Sequence, residues 1–306
     1  MGMIISTLQR AMVAGTPLLL GTVGEVIAEK SGILNLGIEG MMAIGAIVGF
    51  SFTYNTGSAI IGLIAGIIAG GLLSLIHAFV SITIKGNQTL SGIALSMTGV
   101  GLAGMLGKSY IGVSLPETFT EIPIPLLSKI PVIGTILFNR DPLFYIAIIT
   151  TILAWVILFK TRWGIIIRST GENPAAADSM GVNVSFVRYL ATFIGGCFSG
   201  FAGAYLTLSY MPTWIEGMTG GRGWIIVALT IFVQWNPMRA LFGAYLFGTI
   251  DVLQYVLQPL GIPVSILKMF PYIATLLILI LTAEQAKVHH LGSPSALGEP
   301  FIKGER

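Results

Sequence analysis

Polar side chains with chemical reach are few in this chain, and the informative ones stand inside apolar runs. Asn35 and Glu39 fall in the run 33–54 and, four residues apart, would share one helix face. Glu39 follows Lys30 by nine residues, about 13 Å along a helix axis, which puts a carboxylate deep in a bilayer where a lone charge is costly. Glu39 therefore either lines a solute path, or Gly37 and Gly40 break the helix and Glu39 satisfies free amides at the start of its second half. Gln88, Thr89, Ser91 and Ser96 stand near the start of a later run, Gln234 near the end of another, and Asp251 with Gln254 and Tyr255 in a third. Taken singly, each suits an interhelical hydrogen bond. Converging on one cavity, such hydroxyl, amide and aromatic groups suit a neutral, polar, ring-bearing solute.

No catalytic set accompanies them. His77 is intramembrane and reads as an interhelical hydrogen-bonder, while His289 and His290 lack partners at metal spacing. Gly107-Lys108-Ser109 resembles the end of a phosphate-cradling loop, but Leu102 occupies the first glycine position and no buried strand precedes it. ATP hydrolysis is not expected on this chain by that route.

A second constellation lies in the polar stretch 160–184, which carries Arg162, Arg168, Glu172 and Asp178. Within it Asn173 is a good N-cap and Pro174 suits the first helical position. Ala175, Ala176 and Ala177 favour helix, and Gly181 can take a left-handed closing turn. The expected product is a short helix capped at both ends, a rigid knob suited to mechanical contact with another subunit.

The elements that must position these groups are transmembrane. Of 306 residues, 54% are hydrophobic and 9% charged, against roughly 25% charged in soluble proteins. The net charge of +3 fits basic residues in loops better than nucleic-acid binding. Cys197, the only cysteine, can form no internal disulfide. About 20 apolar residues cross a bilayer, and that ruler marks crossings at 12–28, 33–54, 59–84, 90–107, 142–159, 185–210, 223–234, 239–257 and 265–281. The expected fold is all-α, a polytopic bundle of about nine to ten spans with one helix broken near residues 33–40. Residues 1–285 would form the membrane domain, with an external loop at 108–141 whose prolines forbid a continuous helix, and 286–306 a flexible tail. Gly62, Gly66 and Gly70, like Gly196 and Gly200, recur every four residues and allow close helix approach. A weak likeness between 35–46 and 243–248 hints at two structural repeats. Placing 160–184 in the cytoplasm leaves ten Lys and Arg inside and six outside, so the amino terminus is expected outside and the carboxyl terminus inside.

Three motifs carry a family resemblance: E-K-S-G-I-L-N-L-G-I-E-G-M-M at 29–42, G-E-N-P-A-A-A-D-S-M-G-V at 171–182 and G-G-R-G-W-I-I-V-A-L-T-I-F-V-Q-W-N-P at 220–237. The chain resembles permease subunits of type II ABC importers of the branched-chain amino acid, ribose and nucleoside superfamily. Within it, the likeness is to nucleoside permeases that work with basic-membrane-protein-type lipoproteins. The resemblance implies a cell-membrane core of two permeases, often paralogues forming a heterodimer, with ABC ATPases inside and a substrate-binding lipoprotein outside. It implies that the helix at 173–181 seats in the ATPase and that the loop 108–141 helps dock the lipoprotein. ATP and Mg would be held by the ATPase, and this chain would bind no cofactor. A nucleoside, including purine nucleosides, is the expected solute. The alternatives are a simple sugar such as ribose, or an ion-coupled secondary transporter working through Glu39 or Asp251.

Overall fold

In the computed structural model, residues 2–125, 127–267, 269–274, 276–277, 280 and 292–304 are described. The apolar runs fold as helices punctuated where Gly, Pro and polar clusters interrupt them. In order these are α1 (Gly2–Lys30), α2 (Ile38–Thr56), α3 (Ala59–Ala78), α4 (Gln88–Gly107), α5 (Ile133–Leu137) and α6 (Pro142–Lys160). Then follow α7 (Arg162–Glu172), α8 (Pro174–Ser179), α9 (Val184–Tyr205), α10 (Arg222–Phe232), α11 (Pro237–Leu257) and α12 (Val264–Leu267). Single π-helical turns, Phe79–Thr83 and Leu206–Tyr210, prolong α3 and α9.

Among the described residues six helices are long and apolar enough to cross a membrane: Ile5–Lys30, Ala59–Thr83, Gln88–Tyr110, Pro142–Lys160, Val184–Tyr210 and Pro237–Leu257. The expected crossing at 33–54 is α2, whose 19 residues begin only at Ile38. That at 223–234 is the 11-residue α10, about 16 Å long and too short to span alone. The crossing expected at 265–281 lies partly outside the described residues, as do 286–291. Among its described residues the loop 108–141 holds no long helix; β1 (Ile122–Pro123) and β2 (Asn139–Arg140) pair antiparallel in it.

The two ends of the bundle differ. At one end Lys30 donates to the Gly292 carbonyl (2.6 Å), and Lys85 shares a cleft with Asp178 and Lys303. At the other, Ser51 meets Tyr110 (2.8 Å), Ser114 bridges Thr213, and Gln9 donates to Thr135 of the 108–141 loop (3.0 Å). The amino terminus and residues 292–304 thus lie at opposite ends.

Chain direction and packing relate α1–α2–α3 to α9–α10–α11 as inverted repeats. In each, a long helix crosses, an irregular segment (31–37 or 211–221) turns back into the bundle, a helix starts inside, and a third helix returns; α3 packs on α9 as α11 packs on α1. The likeness seen in sequence between 35–46 and 243–248 does not match this relation, which sets α2 against α10.

The glycine stripes are where backbones touch. A methyl group on Gly66 would strike the Gly45 carbonyl on α2, and one on Gly200 would overlap the Gly66 carbonyl on α3, as expected for spans packed through small residues. α1 is buried nearly all round, with Leu18, Leu19, Leu20, Val23 and Val26 in the core beside Phe50, Phe201 and Ile226. Apolar over most of its surface, it suits the centre of a bundle. α3 instead exposes Ile60, Ile64, Ile68, Leu72 and Ile76, a face suited to lipid.

Candidate functional site

Five side chains hold residues 34–37 of the irregular segment after α1. Backbone polar groups in a dry interior are costly unless paired, and five of them find side-chain partners here. Leu34 N–H donates to Gln88 Oε1 (2.7 Å), and the Leu34 carbonyl meets His77 Nε2 (3.0 Å). Since a carbonyl only accepts, Nε2 carries the proton and Nδ1 accepts from Ser91 (3.1 Å). Asn35 N–H donates to Glu25 Oε1 (3.3 Å). Gly37 N–H donates to Asn35 Oδ1 (2.9 Å), and Ser96 donates to the Leu36 carbonyl (2.7 Å). Asn35 therefore sits in the break, not on a helix face with Glu39, because Gly37 ends the irregular segment and α2 starts only at Ile38.

Glu39 satisfies amides, but those of another helix. Its Oε1 accepts from Gly221 N–H (2.9 Å) and its Oε2 from Gly223 N–H (2.6 Å). The carboxylate thus caps the positive end of α10. Between those glycines Arg222 pairs with Asp251 (3.3 Å), donates to the Met218 and Thr219 carbonyls and lies over the Tyr210 ring. Gln254 Nε2 completes the cluster by donating to Asp251 Oδ1 (2.9 Å). The starts of the two inner helices, α2 and α10, meet at Glu39.

Gln234 stands apart, in the turn after α10. It accepts from Arg239 and lies beside Gly292, at the 160–184 end. Of the eight residues picked from sequence as a solute path, Asn35, Gln88, Ser91 and Ser96 surround the break, Glu39 with Asp251 and Gln254 holds the start of α10, and Gln234 belongs to neither; Asn35 and Glu39 link the first two groups through Gly37 and Ile38.

The stretch 160–184 folds as two short helices. Thr161 caps α7 by accepting from Gly164 N–H (3.3 Å), and Asn173 caps α8 by accepting from Ala176 N–H (2.9 Å), with Pro174 in the first turn. Gly181 closes α8 at φ +83°, with Val182 N–H reaching the Ala177 carbonyl (3.1 Å). Ala177 is buried, whereas Asn173, Ala175, Ala176 and Met180 are exposed, Met180 by 84%. Arg168 folds back over the Phe159 ring. Glu172 accepts from Ser295 Oγ (3.1 Å), and Asp178 pairs with Lys303 (3.4 Å).

Sequence reasoning passed over several residues that the structure places here. Glu25, Glu29, Arg188 and Trp235 are buried, and Trp235 donates its indole N–H to Glu29. A charged residue inside an apolar run implies a buried partner, and that signal was available for Glu25 and Arg188. The composition of 286–306 suggests mobility, but over 292–304 the Ala296 and Gly298 amides are bonded to Gly171 and Gly32; composition does not report such backbone pairing.

Residues 7–281 match the family described as branched-chain amino acid transport system / permease component, and the chain belongs to that family. It is 38% identical over 324 residues to the "Putative glucose ABC transporter permease protein TsgC13" of Haloferax volcanii, covering 98% of this chain and 97% of the other. It is 37% identical to the guanosine ABC transporter permease protein NupQ of Bacillus subtilis, covering 96% of each chain. Identity to the nucleoside ABC transporter permease protein NupC of Lactococcus lactis is 33%, covering 99% of each. A solved structure described as "An inward-facing conformation of a putative metal-chelate type ABC transporter" shares the fold at TM-score 0.52 and 17% identity, over 91% of this chain and 85% of that one. The protein is thus a multi-span ABC transporter permease, a transport subunit and not an enzyme. Permeases of this family work with separate ATPase and substrate-binding partners.

Proposed function

We propose that the chain is one of two permease subunits of an ATP-driven importer in the plasma membrane, moving nucleosides, purine nucleosides among them, by alternating access. The observation that carries the coupling is α8: a short helix capped by Asn173 and closed by Gly181, exposed at one end of the bundle between α6–α7 and α9. Arg168, Glu172, Asn173, Pro174, Ala175, Ala176, Ala177, Asp178 and Gly181 form or brace this contact for a cytoplasmic ATPase, which would hold ATP and Mg. That end, with the carboxyl-terminal segment, is then cytoplasmic. The opposite end, with the 108–141 loop, meets a substrate-binding lipoprotein, and the second permease is a paralogue. The solute passes beside Asn35, Glu39, Gln88, Ser91, Ser96, Asp251 and Gln254, which hold backbone able to shift, with Gln234 at the inner mouth. Gln88 Nε2, buried and without a hydrogen-bond partner among the described residues, is a donor left for the solute.

Full-length similarity to permeases named for guanosine and for nucleosides supports the solute class. A simple sugar is the second reading, favoured by the likeness to TsgC13. The test is uptake into vesicles holding the assembled complex, with labelled guanosine, ribose and glucose supplied in turn. Guanosine uptake that stops when the ATPase loses its catalytic residue is the expected result. Uptake that persists there and collapses with a protonophore would instead establish an ion-coupled carrier, and uptake of sugar alone would establish the second reading.

A further inference from the structure

We propose that the end of α7 and the turn after α1 form a joint, pinned by Arg188 and by residues 292–304, through which α8 moves the broken span directly. This rests on the reading of α8 as the ATPase contact. Force would then reach the pore by a third route, besides the flanking helices α6 and α9.

Arg188 is 2% exposed, and among the described residues no carboxylate lies within ion-pair distance of it. A buried guanidinium is costly unless it is hydrogen-bonded, and here each of its three nitrogens donates to a carbonyl, on three separate segments. Nε donates to Ser31 (3.1 Å), Nη2 to Thr170 (3.3 Å) and Nη1 to Glu299 (3.1 Å). Ser31 opens the turn after α1, Thr170 lies in the last turn of α7, and Glu299 belongs to the carboxyl-terminal segment.

The surfaces so pinned have no slack. A methyl group on Gly171 would overlap the Lys30 carbonyl, and Gly32, at φ +96°, faces Arg188. Across this seam residues 292–304 lie as a strap. Ala296 N–H donates to the Gly171 carbonyl (2.9 Å) and Gly298 N–H to the Gly32 carbonyl (3.2 Å), so one short segment bonds to both sides. Lys30 holds its start at Gly292 (2.6 Å), and Ser295 with Glu172 and Lys303 with Asp178 tie it to α7 and α8. Leu297 packs against the core.

Beyond Gly32 the chain is gripped almost at once. Leu34, Asn35 and Leu36 are bonded to α3, α4 and α1 side chains, and Glu39 is bonded to the start of α10. A shift of α7 is therefore passed through Gly171 and Arg188 to the break, and by Glu39 to the second inner helix. Packed elements of this kind move as bodies and do not absorb displacement by bending.

The test uses the full complex in vesicles and three variants: Leu297→Asp, which detaches the strap without altering a spanning helix; Arg188→Lys, which keeps the charge but cannot reach three carbonyls; and Gly171→Ala. Solute moved per ATP hydrolysed is measured beside retention of the ATPase and thermal stability. The joint requires an ATPase that stays bound and hydrolyses within about twofold of wild type, while solute moved per ATP falls about tenfold. Lowered stability with an unchanged ratio would overturn the proposal and leave the joint a static brace. Should Arg188→Lys or Gly171→Ala fail to assemble, Leu297→Asp decides by the same ratio. The double variant Asn173→Ala, Gly181→Val separates the two readings. If it leaves ATPase retention and uptake untouched, the α8 reading falls and takes the joint with it; if it disrupts them while the joint variants transport normally, the joint alone falls.

Discussion

Replacing Glu39 by Gln tests whether this residue is a cap or a solute contact. Both carboxylate oxygens accept amide hydrogens, from Gly221 at 2.9 Å and Gly223 at 2.6 Å. A glutamine keeps one acceptor and turns an amide donor toward the other N–H, so one charge-assisted bond is lost and a buried N–H is left unpaired. The bond is worth about 1.5–3 kcal/mol, and the charge at the helix start about 0.3–2 kcal/mol more. Sparing the cost of holding a charge in the interior offsets part of this, leaving about 2–3 kcal/mol. At about 2–4 °C per kcal/mol for a chain of this size, the midpoint of thermal unfolding in detergent should fall about 4–12 °C. Uptake capacity should fall with it, while the protein that remains folded keeps its ranking of guanosine, ribose and glucose. The opposite pattern, wild-type stability with an altered ranking, would refute the cap and make Glu39 a solute contact.

Gly181→Val should leave insertion intact and lower uptake per ATP several-fold: φ is +83° with nothing within 4 Å of an added Cβ, so the cost is backbone strain of about 1–3 kcal/mol at the close of α8. Gly181→Asn, which tolerates that conformation, should transport almost normally, and normal transport by the valine variant would count against α8 as the coupling contact. Ser96→Ala removes the donor to the Leu36 carbonyl, 2.7 Å away, leaving a buried acceptor unpaired at about 1–3 kcal/mol. Thermal unfolding should then shift down by about 2–12 °C; an unchanged midpoint would mean that the break does not depend on this bond.

The parts of the fold legible in sequence are those set by local rules. Runs of apolar residues became helices, Asn173, Pro174 and Gly181 capped and closed α8 where their chemistry demands, and glycines four apart brought α2, α3 and α9 into backbone contact. The break near Gly37 was legible too, since Gly37 and Gly40 flank Glu39 there. What sequence did not disclose was partnership across distance. One of the two roles expected of Glu39 was to satisfy amides at the start of its own helix, whereas the amides it serves are those of Gly221 and Gly223, 182 and 184 residues away. Arg188 binds Ser31 at a separation of 157 residues and Glu299 at 111. Spacing rules reach one or two helical turns, and no periodicity records which distant carbonyl a buried cation will meet.

This difference bears on how polar residues inside membrane spans are to be interpreted. Asn35, Gln88, Ser91 and Ser96 have the chemistry of a solute site, and that chemistry is already engaged in holding 33–37 or His77. A span that carried the same residues as an unbroken helix would leave them free for solute, because its backbone would need no outside partners. Here the broken backbone uses them first. Any movement that reorganises the break must then exchange some of these bonds, and each exchange exposes a donor or acceptor at the start of α2 or α10. Holding the break and meeting a solute are therefore compatible roles for one set of side chains at different stages of the cycle. Gln88, whose Oε1 is bonded to Leu34 while its Nε2 has no partner among the described residues, holds the break and keeps a donor that the proposed solute path could use.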